Sequence, residues 1–326
     1  MSIDPRTLLA ALSADCAVSG SALAARLHVT RAAVWKQIEA LRTLGAPIVA
    51  TAGSGYRLAW PFELLDAVQI SGELDSATRA RLHALNVHWQ IDSTNTQLLR
   101  SADTGAHQLE ACFAEMQSAG RGRRGRAWQS PLGGNLYFSL LRRFEHGMGA
   151  LSGLSLAVGV AVIDALNDCG VTDVGIKWPN DVLAQGRKLA GILVELGGEF
   201  LGPCHAVIGI GINLRLSDTA RARIDQPAID LATLMNGTPP SRNRLGGRLL
   251  ARLIAVLDRF AADGFAALHA DYARHDLLRG REIRVLNAGD ERDGVAAGVD
   301  ARGALILRRG RALAHYDSAE VSVRGL

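Results

Sequence analysis

The chain has 326 residues, a hydrophobic fraction of 48%, a charged fraction of 21% and a formal net charge of +4. That length holds two or three domains with ample core, and the composition excludes a disordered, fibrous or membrane-embedded chain. Met1-Ser2-Ile3-Asp4-Pro5 does not read as a signal peptide, and the most apolar stretch, Leu151 to Leu166, is too short and too punctuated by Gly and Ser to span a bilayer.

Residues 1–60 read as a small DNA-binding module. Arg6 to Ala14 is an amphipathic helix carrying Leu8, Leu9 and Leu12, and Ser21 to Leu27 is a second helix. Thr30 suits the N-cap of a third, Arg31 to Leu44, with Val34, Ile38 and Leu41 on one face. Arg31, Trp35 and Lys36 fall away from that face, the geometry that lays a helix in a major groove. Ile48 to Thr51 and Gly55 to Leu58 form a hairpin wing around Ala52-Gly53-Ser54. Six Lys or Arg against three Asp or Glu make the segment basic. A helical protein-interaction module is the competing reading. Thr30, Arg31, Trp35, Lys36 and Ser54 are the expected DNA contacts.

Trp60-Pro61 marks a boundary, and 61–85 reads as a helical connector. A larger α/β unit follows over 86–276. Val87 to Ile91 is a strand ending in Asp92-Ser93-Thr94-Asn95, which suits a helix N-cap before Thr96 to Ser101. Leu109 to Met116 and Asn135 to Arg142 are strands, the second with Leu136, Phe138 and Leu140 in phase. Leu151 to Asp168 is an apolar helix stopped by Gly170. Val174 to Trp178 is a short strand, Pro179-Asn180-Asp181 a turn, and Arg187 to Leu196 and Ala206 to Asn213 are strands. Glycines 209 and 211 point to close approach by a neighbour or ligand. Leu214 to Asn236 is polar and poorly periodic and reads as a mobile loop. Leu245 to Ala262 and Phe265 to Arg274 are amphipathic helices. Over 277–326, five short strands at turn-punctuated spacing fit a small β-barrel.

Cys16, Cys112, Cys169 and Cys204 are scattered without a Cys-x-x-Cys, as expected of reduced thiols in a cytoplasmic protein. Of the 36 basic residues only Lys36, Lys177 and Lys188 are lysine. Lys177 and Lys188 lie within one twelve-residue window, a candidate site where a compact ammonium serves better than a guanidinium.

The most unusual stretch is Gly120-Arg121-Gly122-Arg123-Arg124-Gly125-Arg126, with Trp128 after it. Glycine disfavours helix and strand and four like charges repel, so the run is a loop. Bare backbone N–H groups and guanidinium forks suit phosphate or carboxylate. The run contains Gly-x-Gly-x-x-Gly, but no helix opens after it, so a dinucleotide turn is not expected. A solvated basic loop is the duller alternative.

In full context, Gln117 to Trp128 closely resembles the ligand loop of biotin protein ligases. So do Lys177-Trp178-Pro179-Asn180-Asp181, Lys188-Leu189-Ala190-Gly191-Ile192-Leu193-Val194-Glu195, Gly209-Ile210-Gly211-Ile212-Asn213 and Asp92-Ser93-Thr94-Asn95, all in the family's order. With its winged-helix start and C-terminal barrel, the chain resembles the bifunctional biotin ligase and biotin operon repressor type over essentially its whole length. The resemblance implies an α+β multidomain fold: a winged helix-turn-helix, a central class II synthetase-like ligase domain with a mixed sheet, and an SH3-like β-barrel. It implies formation of biotinoyl-5′-AMP and pyrophosphate from biotin and ATP, then transfer of biotin to one lysine of the biotin carboxyl carrier protein of acetyl-CoA carboxylase. It further implies repression of biotin biosynthesis genes at operator DNA by a homodimer that the adenylate favours.

By position, the resemblance puts Ser93, Thr94, Asn95 and Gln117 around the biotin ureido head, with Gly120, Gly122, Gly191 and Gly209 beside them. Arg121 to Arg123 would contact the acyl end and the phosphates. Lys188 would bridge the biotin carboxylate and the α-phosphate, and Asp181 would orient or deprotonate the acceptor lysine. Arg124, Arg126, Trp128, Lys177, Asn180, Asn213 and Arg324 would border the nucleotide. Mg²⁺ is expected with ATP, without a fixed protein site. The chemistry agrees, because joining a carboxylate to a phosphate brings two anions together and needs preorganised positive charge. Loop closure is expected to depend on the glycines as much as the arginines, Gly122 among them. The family often has an aromatic residue over the adenine near 225–229. Asp225-Gln226-Pro227-Ala228-Ile229 has none, and Trp178 is a candidate substitute. Two other readings are a lipoate-type ligase, disfavoured by the Arg/Gly heptad and the DNA module, and a non-catalytic ligand-sensing transcription factor, disfavoured by Lys188 and Asp181.

Overall fold

The structure is a computed structural model, and it describes residues 3–105, 108–287, 290–317 and 321–325. At the N-terminus, side-chain caps start each helix. Asp4 accepts from Arg6 N–H at α1 (Pro5–Ala10), Ser19 from Ala22 N–H at α2 (Gly20–Arg26), and Thr30 from Ala33 N–H at α3 (Arg31–Thr43). Leu8, Leu23, Val34, Ile38 and Leu41 are fully buried together. α1 ends four residues before the expected Ala14, because the chain turns for Ser13 O to accept from Leu58 N–H. β1 (Ile48–Thr51) and β2 (Gly55–Leu58) pair antiparallel as the wing.

The connector is only partly helical, with α4 (Ala67–Gly72) and α5 (Ser76–Arg81) after an irregular 61–66. Its irregular part is held by buried charge. Glu115 accepts from Leu65 N–H at 2.6 Å and from Arg242 Nη2 at 2.8 Å, while Glu63 accepts from Ser241 Oγ and from the Arg242 backbone N–H. Glu115 and Arg242 are buried, and either charge would be penalised heavily if left unpaired there.

The main sheet contains β3 (Ala84–Ile91), β4 (Leu109–Gln117), β5 (Asn135–Phe144), β6 (Val174–Lys177), β7 (Asp181–Ala184), β8 (Arg187–Gly198) and β9 (Cys204–Asn213). Their order is β3-β4-β5-β9-β8-β7-β6, mixed because β3 and β4 run parallel. Side chains alternate between its faces. Phe113, Phe138, Ile210 and Ile192 are in register on one face and pack with the apolar helix α7 of Leu154–Asp168. On the other face Tyr137 aligns with Gly211 and Gly191, and Ser139 with Gly209 and Leu193. There α6 (Thr94–Asp103) covers Cys112, Leu141 and Val207 through Leu98 and Ala102. The rest of that face is left for the site.

Two expectations are corrected here. Asp181 is not the end of a turn; it begins β7, opposite Lys177 on β6. Leu214 to Asn236, read as a mobile loop, holds α8 (Asp218–Arg221) and α9 (Leu231–Leu234) and is strapped to β8, where Lys188 N–H donates to Pro227 O and Ile229 N–H to Lys188 O.

Behind them lie α10 (Arg242–Asp263), packed on the same sheet face as α7, and α11 (His269–His275). The C-terminal strands β10 (Glu282–Asn287), β11 (Asp290–Val299), β12 (Leu305–Arg309), β13 (Ala312–Tyr316) and β14 (Val321–Gly325) form an antiparallel sheet in the order β13-β12-β11-β10-β14. Its Ile283, Val285, Leu305 and Leu307 join the main core. Trp178 is 1% exposed and donates Nε1–H to Gly303 O at 3.1 Å. It is a peg between sheet and C-terminal unit, and it also lines the groove described below. Among the described residues no helix is long and apolar enough to cross a membrane.

Candidate active site

The open half of the sheet face is shaped by what its strands lack. A Cβ on Gly209 would lie 2.2 Å from Asn95 Oδ1, so only glycine lets Asn95 reach the sheet. Ser93 sits at the N-cap of α6 but makes no side-chain cap bond. The expected capping role is therefore absent, and its buried hydroxyl lines the cavity instead. Thr94 donates from N–H and Oγ1 to Gln117 Oε1 at 2.9 and 3.2 Å, and Gln117 Nε2 donates to Ser130 Oγ at 3.0 Å. Ser139 Oγ lies 2.7 Å from Thr94 Oγ1 and 2.6 Å from Asn95 Oδ1. The result is a polar seat on a rigid sheet, with donors and acceptors fixed in advance.

The Arg/Gly heptad closes over this seat as a narrow hairpin. Gly122 N–H donates to Arg126 O at 2.7 Å and Trp128 N–H to Gly120 O at 2.9 Å. Its tip turns at Arg124 and Gly125, with φ of 58° and 70°. Three contacts hold the hairpin down. Arg121 Nη2 pairs with Glu195 Oε2 at 2.9 Å. Arg123 Nη1 donates to Asn180 Oδ1 at 3.1 Å. The Trp128 indole lies over Gly191 and Gly211, where a Cβ would come within 2.9 and 2.4 Å of the ring. Burial, then the adjacent Arg124 charge, pull the Arg123 pKa below the usual guanidinium value, with Asp181 opposing. An anion placed beside Arg123 would relieve that strain on its charge.

Lys188 and Asp181 sit where the seat opens outward. Lys188 Nζ is 2.7 Å from Asp181 Oδ1, and 5.5 Å from the centre of the Trp128 ring. The small cavity of about 60 Å³ lined by Ser93, Thr94, Asn95 and Gln117 adjoins a groove of about 770 Å³. Both are bordered by Gly122, Arg123, Trp128, Asn180 and Lys188. The groove has room for a nucleoside triphosphate.

Most of the expected site residues converge here. Ser93, Thr94, Asn95, Gln117, Arg121, Gly122, Arg123, Lys188, Gly191 and Gly209 line the cavity. Arg123, Arg124, Arg126, Trp128, Lys177, Asn180, Asp181 and Asn213 line the groove. Asn213 is 3% exposed and donates Nδ2 to Lys188 O and Ile229 O, so it also ties the 225–229 segment to β8. Three residues stand apart. Arg121 faces only the cavity side. Gly120 lines neither the cavity nor the groove, and a Cβ on it would strike Ser130 Oγ and Trp128 O at 2.6 Å. Arg324 is on β14, opposite Arg284, and its side chain lies outside the described residues.

Residues 225–228 do line the groove, with Ile224 and Ala228 in a small aliphatic cluster and no aromatic ring among them, while Ile229 is buried in the main core. Ser139, Tyr137, Arg223 and Glu195 were not among the expected site residues, whereas the close approach expected at Gly211 is made by the Trp128 ring. Ser139 had a signal: it is the polar residue out of phase with Leu136, Phe138 and Leu140. In the wing module Arg31, Lys36 and Ser54 are exposed and Trp35 is 59% exposed, while Thr30 serves as the α3 cap.

A model of the biotin/lipoate A/B protein ligase family matches residues 87–213, a helix-turn-helix domain model matches 6–57, and a biotin protein ligase C-terminal domain model matches 279–324. The bifunctional ligase/repressor BirA of Escherichia coli is 38% identical over 320 residues, covering 98% of this chain and 97% of that protein. The biotin–[acetyl-CoA-carboxylase] ligase of Mycobacterium tuberculosis is 38% identical over 229 residues, covering 68% of this chain and 82% of that protein. Among solved structures, a biotin protein ligase from Aquifex aeolicus in complex with biotin and ATP aligns with a TM-score of 0.63 at 26% identity, covering 75% of this chain and 100% of that one. With such identity over nearly its full length, and with all three domain models matching along it, the chain belongs to the biotin protein ligase family, in its helix-turn-helix-bearing form.

Proposed function

We propose that this chain is an ATP-dependent biotin protein ligase that also represses transcription. The observation that carries the reading is the position of Lys188. It stands at the junction of a polar seat and a nucleotide-sized groove, 2.7 Å from Asp181 and beside Arg123. A carboxylate oxygen of biotin attacks the α-phosphorus of ATP, the bond to the β-phosphate breaks, and pyrophosphate leaves. Lys188 neutralises the two oxyanions that must meet, and Arg123, Arg124 and Arg126 face the departing pyrophosphate. In the second step the amine of a carrier lysine attacks the acyl carbon and AMP leaves. Asp181 orients that amine and takes its proton. Thr94, Asn95 and Gln117 hold the ureido head, and the hairpin with Trp128 keeps water from the adenylate.

On this reading Mg²⁺ arrives with the triphosphate as part of the substrate, where it shields the phosphoryl oxygens. The acceptor is the biotin carboxyl carrier protein of acetyl-CoA carboxylase. Arg31, Trp35, Lys36 and Ser54 meet operator DNA, and the adenylate favours a homodimer. The setting for all of this is the cytoplasm.

The test is incubation with biotin and α-labelled ATP, followed by apo carrier protein. Biotinoyl-AMP, pyrophosphate and biotinylated carrier are expected. Biotin binding without adenylate would leave a sensor, and lipoate activation in its place would make the chain a lipoate-type ligase. Sedimentation and operator gel shifts, each with and without biotin and ATP, test the dimer and the repressor.

A further inference from the structure

Glu195 closes the Lys188–Glu195 motif, and besides its pair with Arg121 it reaches the floor of the seat. It lies on the site face of β8, four residues beyond Gly191 and in register with Val207 of β9. One of its oxygens serves two partners. Oε2 accepts from Asn95 Nδ2 at 2.7 Å and from Arg121 Nη2 at 2.9 Å. Asn95 belongs to the floor of the seat, and Arg121 to the base of the hairpin that covers it.

The bond to Asn95 fixes more than position. An amide has a donating and an accepting end of nearly equal shape, and only its partners decide which way it faces. A carboxylate only accepts, so Glu195 holds the Asn95 NH₂ on its own side, where Leu193 O is also 3.4 Å away. Asn95 Oδ1 is thereby turned to Ser139 Oγ and to the bare face of Gly209. Asn95 is 3% exposed, so a reversed amide would find no water to satisfy it. The ion pair with Arg121 is open, its side chains 41% and 24% exposed, and such pairs add little by themselves. Its importance is geometric, because it ties the hairpin to the same carboxylate that orients the floor.

We propose that Glu195 is a positioning residue that sets the donor–acceptor sense of the ligand seat through Asn95 and latches the Arg/Gly hairpin through Arg121. The inference rests on the reading of this cavity as the biotin seat. It separates two effects. Loss of the Asn95 bond weakens biotin binding, and loss of the Arg121 bond lets the adenylate escape.

The experiment uses the full chain. Biotin affinity is measured by calorimetry, and adenylate release by chasing labelled biotinoyl-AMP with unlabelled biotin. Glu195→Ala is expected to weaken biotin at least tenfold and to speed adenylate release about two- to fivefold, with binding of a non-hydrolysable ATP analogue unchanged within 1.5-fold. Arg121→Met should reproduce the faster release. The double variant should release adenylate no faster than Glu195→Ala alone, since both changes remove one contact. Should Glu195→Ala fail to fold, Glu195→Gln decides, because its amide oxygen keeps an acceptor for Asn95 but no charge for Arg121. It should hold biotin affinity within threefold and still release adenylate faster. Parent-like values for both quantities in folded Glu195→Gln, or in folded Glu195→Ala, overturn the proposal. If the parent chain itself binds no biotin, the reading of the seat fails instead.

Discussion

Lys188 Nζ and Asp181 Oδ1 stand 2.7 Å apart across the β7–β8 pairing, each side chain less than one-fifth exposed. In the reaction proposed above, this pair would hold the cation of the first step beside the base of the second, and anions gathering at Lys188 would free Asp181 for an incoming amine.

Lys188→Ala should lower adenylate formation by ~100-fold or more, the scale of losing one preorganised charge stabiliser. Biotin affinity should fall far less, because the seat of Thr94, Asn95 and Gln117 is built without Lys188. Pyrophosphate release and calorimetry measure the two separately. Near-parental adenylation would remove Lys188 from the chemistry.

Arg123→Gly removes the hairpin's bond to Asn180 and its half-buried charge. A charge-assisted hydrogen bond contributes roughly 1.5–3 kcal/mol, so the adenylate should dissociate roughly ten- to a hundredfold faster. Escaped adenylate should then label lysines of bystander proteins. An unchanged dissociation rate in a chase experiment contradicts this role.

The loop glycines are not equivalent, and the sequence-based expectation for Gly122 is reversed. Its Cβ would meet nothing nearer than 3.5 Å, at a φ of −120° that any residue adopts. Gly120→Ala would drive a methyl group to 2.6 Å from Ser130 Oγ and Trp128 O. Gly122→Ala should retain adenylation within a few-fold, whereas Gly120→Ala should lose most of it. Side-by-side initial rates decide, and equal losses would show that the clash at Gly120 is not what matters.

Leu132 couples the ligand loop's exit to the DNA-binding module. It is 1% exposed, belongs to that module's apolar core, and donates its N–H to Leu44 O at 3.0 Å. Leu132→Ala should cost about 2–5 kcal/mol of stability, the range for a leucine-to-alanine cavity. The loss should appear as a lower midpoint of thermal unfolding and as faster proteolysis between residues 44 and 62. An unchanged midpoint and digestion pattern would mean that the two units are docked by other contacts.

What neighbouring residues encode was legible along the chain. Thr30 announced its helix because a cap acts within three residues. The 136, 138, 140 alternation announced its strand because a pleat has period two. The Arg/Gly heptad could only be a loop, and five motifs in family order marked the ligand-binding surface. Contacts between distant residues were not legible. Glu195 meets Asn95 across 100 positions, and its motif alone does not say which partner its carboxylate takes. Nothing in the sequence tells that Trp178 donates to Gly303, 125 positions away. Gly120 and Gly122 look alike in sequence and differ only in what a folded hairpin presses against them. Local rules depend on bonded neighbours and appear in the letters, whereas sheet register and close approach depend on residues that only folding brings together.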